Sequence, residues 1–178
     1  MNFGEMLVHQ IDEHIRTQLD TLTCADVSRI YFDWIQTISK YGGNPKDFTG
    51  LTEFLIYRLI SYLNVDAISN EDIYLDCSGS IGQRQPDLII YKGTKPVFSI
   101  QVKSNYSKIK EDYDRHMEVK AACPSIKFAT IAFEVREPSH VKQIHKFQAM
   151  NRDYQCLILK DNEKNIKDEL ESLGLILR

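Results

Sequence analysis

The 178-residue sequence contains no run approaching 18 apolar residues, which excludes a transmembrane helix. It also lacks the basic start and apolar stretch of a secretory signal, since the chain opens MNFGEMLVHQIDEHIR. Cysteine is sparse: Cys24, Cys77, Cys123 and Cys156 stand far apart, with no C-x-x-C. A disulfide scaffold and a paired-cysteine zinc site are therefore not expected; the thiols read as small hydrophobes in a reducing compartment. A cytoplasmic protein is expected. Nucleotide and zinc motifs are missing too. No G-x-x-x-x-G-K-[ST] occurs, Gly79-x-x-Gly82 is too short to cradle a triphosphate, and His140 and His145 lack the spacing and glutamate of a zinc helix. Ser78 and Ser80 flank a glycine without a matched His/Asp arrangement.

An excess of positive charge is likewise lacking. The net charge is −3, which argues against a surface coated for unspecific nucleic-acid binding. The charge is unevenly spread, however. Residues 1–91 hold 6 basic and 13 acidic side chains, residues 92–127 hold 8 against 4, and the remainder is balanced at 8 against 8. Because surface charges act over about 8 Å, the middle stretch can meet phosphate despite the overall sign. The same stretch equally describes a solvated helix laced with i,i+4 pairs.

Hydrophobic periodicity predicts helices over 4–20, 25–40 and 51–63. Asp26 stands at the start of the second, and Thr49 or Gly50 precedes the third. Tyr41-Gly42-Gly43-Asn44-Pro45 marks a break. Trp34 and Tyr31 of the second helix are expected in the core or at an interface. Beyond Asn64 the period becomes two, giving strands at 73–77, 87–91 and 96–103 as an antiparallel meander. A helix over 107–121, a strand at 127–135, a helix at 139–150, a strand at 155–160 and a helical tail over 162–173 come next, with 175–177 as an edge strand. The fold class is α/β: one mixed sheet covered on both faces, with an N-terminal helical pair. A single domain is expected over 1–178, divided into a helical extension (1–45), a core (46–160) and a C-terminal helix or tail (161–178).

Four residues carry candidate chemistry. In the strand PVFSIQVK, Ser99, Gln101 and Lys103 share one face, because strand side chains alternate. Asp87 starts the preceding strand, and a short turn between antiparallel neighbours brings its start beside the end of the next. An acid, an amide oxygen and an amine converging there suit a hard divalent cation and a polarised water.

Pro86-Asp87, thirteen residues, then Gln101-Val102-Lys103 resembles the PD-(D/E)XK nuclease superfamily, the restriction-endonuclease-like enzymes, with glutamine at the D/E position. Glu53 matches the acid these folds often carry on the helix before the sheet, and residues 51–135 match the αβββαβ core order. The resemblance implies a metal-dependent nuclease, an endodeoxyribonuclease of a restriction, defence or repair type, with DNA as partner. It implies Glu53, Asp87, Gln101 and Lys103 as the catalytic set. Mg²⁺ or Mn²⁺ would be held by Asp87, Glu53, the Gln101 amide oxygen and the Val102 carbonyl. The products would be a 5′-phosphate and a 3′-hydroxyl. Replacing a carboxylate by the neutral Gln101 leaves Asp87 and Glu53 to supply the negative charge.

Nucleic-acid contacts are expected from Gln83, Arg84 and Gln85 in the turn leading to Asp87, with an ordinary polar loop as the alternative. Lys108, Lys110 and Arg115 would form a backbone-contact face on the helix after Lys103, with Asn105 and Tyr106 beside them. The helical pair offers a surface for a homodimer. A different reading of the same residues is a catalytically inactive nuclease fold serving as a nucleic-acid-binding or protein-interaction module.

Overall fold

A computed structural model describes residues 3–40, 44, 50–70 and 72–177. The break expected at 41–45 and the Thr49 position fall outside these residues, apart from Asn44. Three helices come first: α1 (Phe3–Gln18), α2 (Cys24–Lys40) and α3 (Leu51–Leu63). Leu7, Ile11 and Ile15 recur every four residues along α1 and are all buried, whereas Met6 and His14 face solvent. At the start of α2, Asp26 Oδ2 accepts from Thr23 N (3.0 Å) while Thr23 Oγ1 accepts from Asp26 N (3.1 Å). This reciprocal box satisfies two donors that a helix start otherwise leaves open. Trp34 and Tyr31 lie half-buried against the core. The α1 helix is tied to α3 by Asp12, which accepts from Arg58 and from the Tyr62 hydroxyl (2.9 Å).

The sheet has five strands in the order β1 (Ile73–Asp76), β2 (Leu88–Lys92), β3 (Lys95–Lys103), β4 (Lys127–Ala132) and β5 (Tyr154–Ile158). The first three form the expected antiparallel meander, and β3–β4–β5 are parallel. The parallel pairs need crossovers, supplied by α5 (Ile109–Ala122) and α6 (Pro138–Met150). Alternation along the strands separates two apolar layers. Leu88, Ile90, Phe98, Ile100 and Val102 pack with α1, α2, α3 and the last helix α7 (Ile166–Ser172). On the other face, Ile89, Phe128 and Tyr154 pack against Val119 of α5 and Phe147 of α6. The fold is thus α/β, with a mixed five-stranded sheet flanked by helices on both faces.

The strand expected at 127–135 ends at Ala132 and the helix expected from 162 begins at Ile166; two further differences adjoin one residue. A short helix, α4 (Val65–Ser69), comes directly after α3, too short to leave a periodic signal. Residues 175–177 form no strand. At the junction stands Asn64, 3% exposed, whose Nδ2 donates to Ile60 O (2.8 Å) and Leu175 O (2.9 Å) while its Oδ1 accepts from Leu177 N (2.6 Å). One side chain thereby does for the tail what a neighbouring strand would have done. Asn64→Ala should leave two tail backbone groups unpaired, at a cost of about 1–3 kcal/mol. At this chain length that lowers Tm by about 2–4 °C per kcal/mol, read by circular dichroism; an unchanged midpoint would show that the tail is held by other contacts.

Candidate active site

Register builds the site. Leu88, the first residue of β2, pairs with Ile100, so Val102 lies two residues beyond the start of β2 and has no strand partner on that side. Asp87 fills the gap: its Oδ2 accepts from Val102 N at 2.7 Å. The carboxylate therefore closes the ladder where β2 runs out, and this bond fixes Asp87 against the Gln101–Lys103 segment. It is the N–H of Val102, not its carbonyl, that meets Asp87.

Lys103 Nζ donates to Gln101 Oε1 at 3.0 Å and lies 3.7 Å from Asp112 Oδ1. Its charge is felt by both Asp87 and Glu53. Glu53 is exposed in the first turn of α3, the helix that packs on the opposite face of the sheet. The four residues expected to act together, Glu53, Asp87, Gln101 and Lys103, are thus brought to one end of the sheet. Burial pushes the Asp87 carboxyl above its ordinary range and the Asp112 charge adds to this, against the Val102 N–H, Lys103 and Arg115. Burial also raises Glu53, and the Asp87 charge raises it further, with Lys103 opposing. Asp87, raised by its burial and by Asp112, and Glu53, raised by partial desolvation and by Asp87, stand beside one amine and make a site that gains from a further cation.

Two members of this neighbourhood were not anticipated. Asp112 (3% exposed) meets Lys103 and, at 3.2 Å, Arg115 Nη1. His116 (1% exposed) places Nε2 3.1 Å from Thr130 Oγ1 and stacks on Phe128 with 4.9 Å between ring centroids. Burial drives the His116 imidazole down to about 3, so it is neutral. A signal existed: the inward stripe of α5 is Ile109, Asp112, His116 and Val119, a helical period whose middle members are polar.

The expected nucleic-acid contacts look different. Ile81 and Arg84 close a tight turn in which Gly82 has φ +61°, and a Cβ there would stand 3.0 Å from Ala122 Cβ. The loop is pinned to α5, and Arg84 forks onto Glu118, with Nη2 to Oε1 at 2.8 Å. Gln83 is exposed, and Gln85 Nε2 makes a long contact to Ser78 O (3.4 Å). Lys108 precedes α5 instead of lying on it and meets Glu111; Lys110 meets Asp114, and Arg115 meets Asp112. Every cation of the expected face carries an acidic neighbour. Tyr106 is fully buried, its hydroxyl 3.2 Å from that of Tyr154, so it belongs to the core and not to a binding face.

Among the described residues no group of three or more His, Cys, Asp and Glu side chains is placed to hold a metal. The oxygen donors on hand are two carboxylates and one amide, a set that fits Mg²⁺, which retains several waters and takes only one or two carboxylates from a protein. No protein family, curated protein or solved structure matches the chain. Among the described residues no helix is long and apolar enough to cross a membrane.

The raised carboxyls carry a stability consequence. An acid whose pKa rises on folding stabilises the fold only below its unfolded value, 3.8 for Asp87, and that contribution is lost as pH climbs through the folded value. At pH 7 the ionised Asp87 is therefore a burden, and Asp87→Asn, which keeps an acceptor for Val102 N–H, should raise the metal-free Tm by a few degrees. The gain should shrink toward pH 4. A lower Tm for the variant at pH 7 would show that the carboxylate is not a burden.

Proposed function

We propose that this chain is a metal-dependent phosphodiesterase of the PD-(D/E)XK, restriction-endonuclease-like class, acting on DNA. The observation that carries the reading is the Asp87 carboxylate, held by the Val102 N–H beside the Gln101 amide and the Lys103 amine at the sheet end, with the exposed Glu53 near enough to feel the charges of Asp87 and Lys103. Asp87, Glu53 and the Gln101 amide oxygen would hold Mg²⁺ or Mn²⁺. Such an ion supplies Lewis acidity and charge neutralisation at a phosphate oxygen.

The residues themselves have separable tasks. The Val102 N–H holds the Asp87 carboxylate in one orientation, so that no reorganisation is needed when a phosphate arrives. Gln101 holds the Lys103 amine from one side and Asp112 attracts it from the other. Lys103 is thereby positioned to orient a water toward phosphorus and to offset charge as the water oxygen bonds to it and the bond to the 3′ oxygen breaks. The attacking water gives up a proton to solvent and the leaving oxygen takes one from it, giving a 3′-hydroxyl, while the phosphate stays on the 5′ side. The ion pairs on Lys108 and Lys110 do not preclude phosphate contact, because exposed pairs contribute only about 0–1 kcal/mol and exchange readily, whereas Arg84 is forked onto Glu118 and Arg115 is held by the buried Asp112.

The alternative, an inactive fold that binds nucleic acid or protein, is favoured by one observation: the Gln101 oxygen is already engaged by Lys103. Variants separate the two. Asp87→Ala and Lys103→Ala should each reduce Mg²⁺- or Mn²⁺-dependent DNA cleavage by at least about 100-fold, the scale lost with a single transition-state charge contact, while electrophoretic shift of DNA persists. Gln101→Glu should keep cleavage and bind metal at least as tightly. Wild-type protein that cleaves no linear, supercoiled, branched or single-stranded DNA with either ion would retire the enzyme reading in favour of the binding module.

A further inference from the structure

Beside the cluster lies a cleft of about 170 Å³, bounded by the 83–86 loop, by Ser99 and Gln101 of β3, and by Arg115, His116 and Val119 of α5. Gln101 belongs to both places, so whatever fills the cleft lies next to the phosphate handled by Asp87 and Lys103. On its floor, Ser99 is 1% exposed and its Oγ is the one buried side-chain polar atom among the described residues with no hydrogen-bond partner. An unmatched buried hydroxyl is unfavourable, and a ligand bonding to it would remove that penalty. Its position is set by the strand: Ser99 sits opposite Ile89 in the register, two residues from Gln101, and so points to the α5 side, the face on which Ile89, Phe128 and Val119 pack.

The lining says what kind of ligand fits. Both guanidinium groups at the rim are compensated, Arg84 by Glu118 and Arg115 by Asp112. The His116 ring is neutral and held from behind by Thr130 and Phe128. Among the described residues no uncompensated positive charge lines the cleft, so it is not built for a second phosphate. Pro86 and Val119 offer apolar sides, and the Ser99 hydroxyl and the Gln101 and Gln83 amides offer donors and acceptors. The space is smaller than the several hundred Å³ of sites for drug-sized ligands and suits one planar ring system.

We infer that this cleft receives a single unstacked nucleobase of the substrate, adjacent to the phosphate at the Asp87–Lys103 cluster. The inference rests on the phosphodiesterase reading for the identity of its ligand. It gives that reading a preference: a paired base must first be unpaired and unstacked, so single-stranded, mismatched or branched DNA should be taken ahead of a perfect duplex.

The test uses the full chain and small probes. Amide NMR spectra are recorded with adenosine, guanosine, cytidine or thymidine at millimolar concentration, and separately with inorganic phosphate. At least one nucleoside should shift the signals of Ser99, Gln101, His116 and Val119, while inorganic phosphate leaves them in place. Ser99→Ala, which removes the hydroxyl without adding volume, should weaken that nucleoside about 3- to 10-fold, the range of one neutral hydrogen bond. Ser99→Val, which fills the floor, should abolish the shifts. No shift with any nucleoside, the same shifts with phosphate, or unchanged affinity in Ser99→Ala would each overturn the inference. Cleavage is scored independently. A protein that binds nucleosides here but cleaves nothing would lose the phosphodiesterase reading and keep the cleft, and one that cleaves without nucleoside shifts would keep the reading and lose the cleft.

Discussion

The Asp87 carboxylate on the Val102 N–H, 2.7 Å apart, is where backbone architecture becomes chemistry. β3 is nine residues long and β2 only five, so one of them must end without its neighbour. A bare strand N–H in a half-buried position costs free energy, and the residue that precedes β2 meets that need with a charged oxygen. The same bond holds Asp87 beside Gln101 and Lys103. Glu53 then adds its charge from α3, on the other apolar layer. Shortening β3 or delaying β2 by one residue would dissolve both the cap and the cluster.

The site is therefore kept under electrostatic tension. Burial makes ionised Asp87 unfavourable and Asp112 adds to this, while Glu53, whose side chain stays exposed, is raised by partial desolvation and by the Asp87 charge. A chain selected for stability alone would have placed amides or apolar side chains there. Groups held away from their preferred protonation state cluster where binding or chemistry relieves the tension. Lys103 relieves part of it, shared as it is among Gln101, Asp112 and the two acids. One ammonium among several carboxylates leaves an excess of negative charge, and that excess is what the proposed function uses.

Much of this was legible in the residues, and the rest failed for physical reasons. Strand alternation put Gln101 and Lys103 on one face, and the short turn at Lys92-Gly93-Thr94-Lys95 put Asp87 beside them; both are local arguments, and the structure has that arrangement. Asp112 was hidden because α5 carries four acids, and only the inward one of its stripe differs from the solvated others. Those same four acids are all of the acidic residues between 92 and 127, so the net positive charge of that stretch is not carried by the helix expected to present it. Charge summed along a sequence ignores which side chains neutralise one another one turn apart. The tail at 175–177 has the composition of an edge strand, but its backbone partner is a side chain more than a hundred residues earlier, which no local pattern reveals.

Whether the acids at the sheet end form a divalent-cation site is tested most directly in crystals of the protein soaked in Mn²⁺. The expected result is an anomalous difference peak within about 2–2.6 Å of an Asp87 carboxylate oxygen, with Glu53 or the Gln101 amide oxygen in the same coordination sphere. No peak at saturating Mn²⁺, or a peak whose ligands include neither Asp87 nor Glu53, would contradict it.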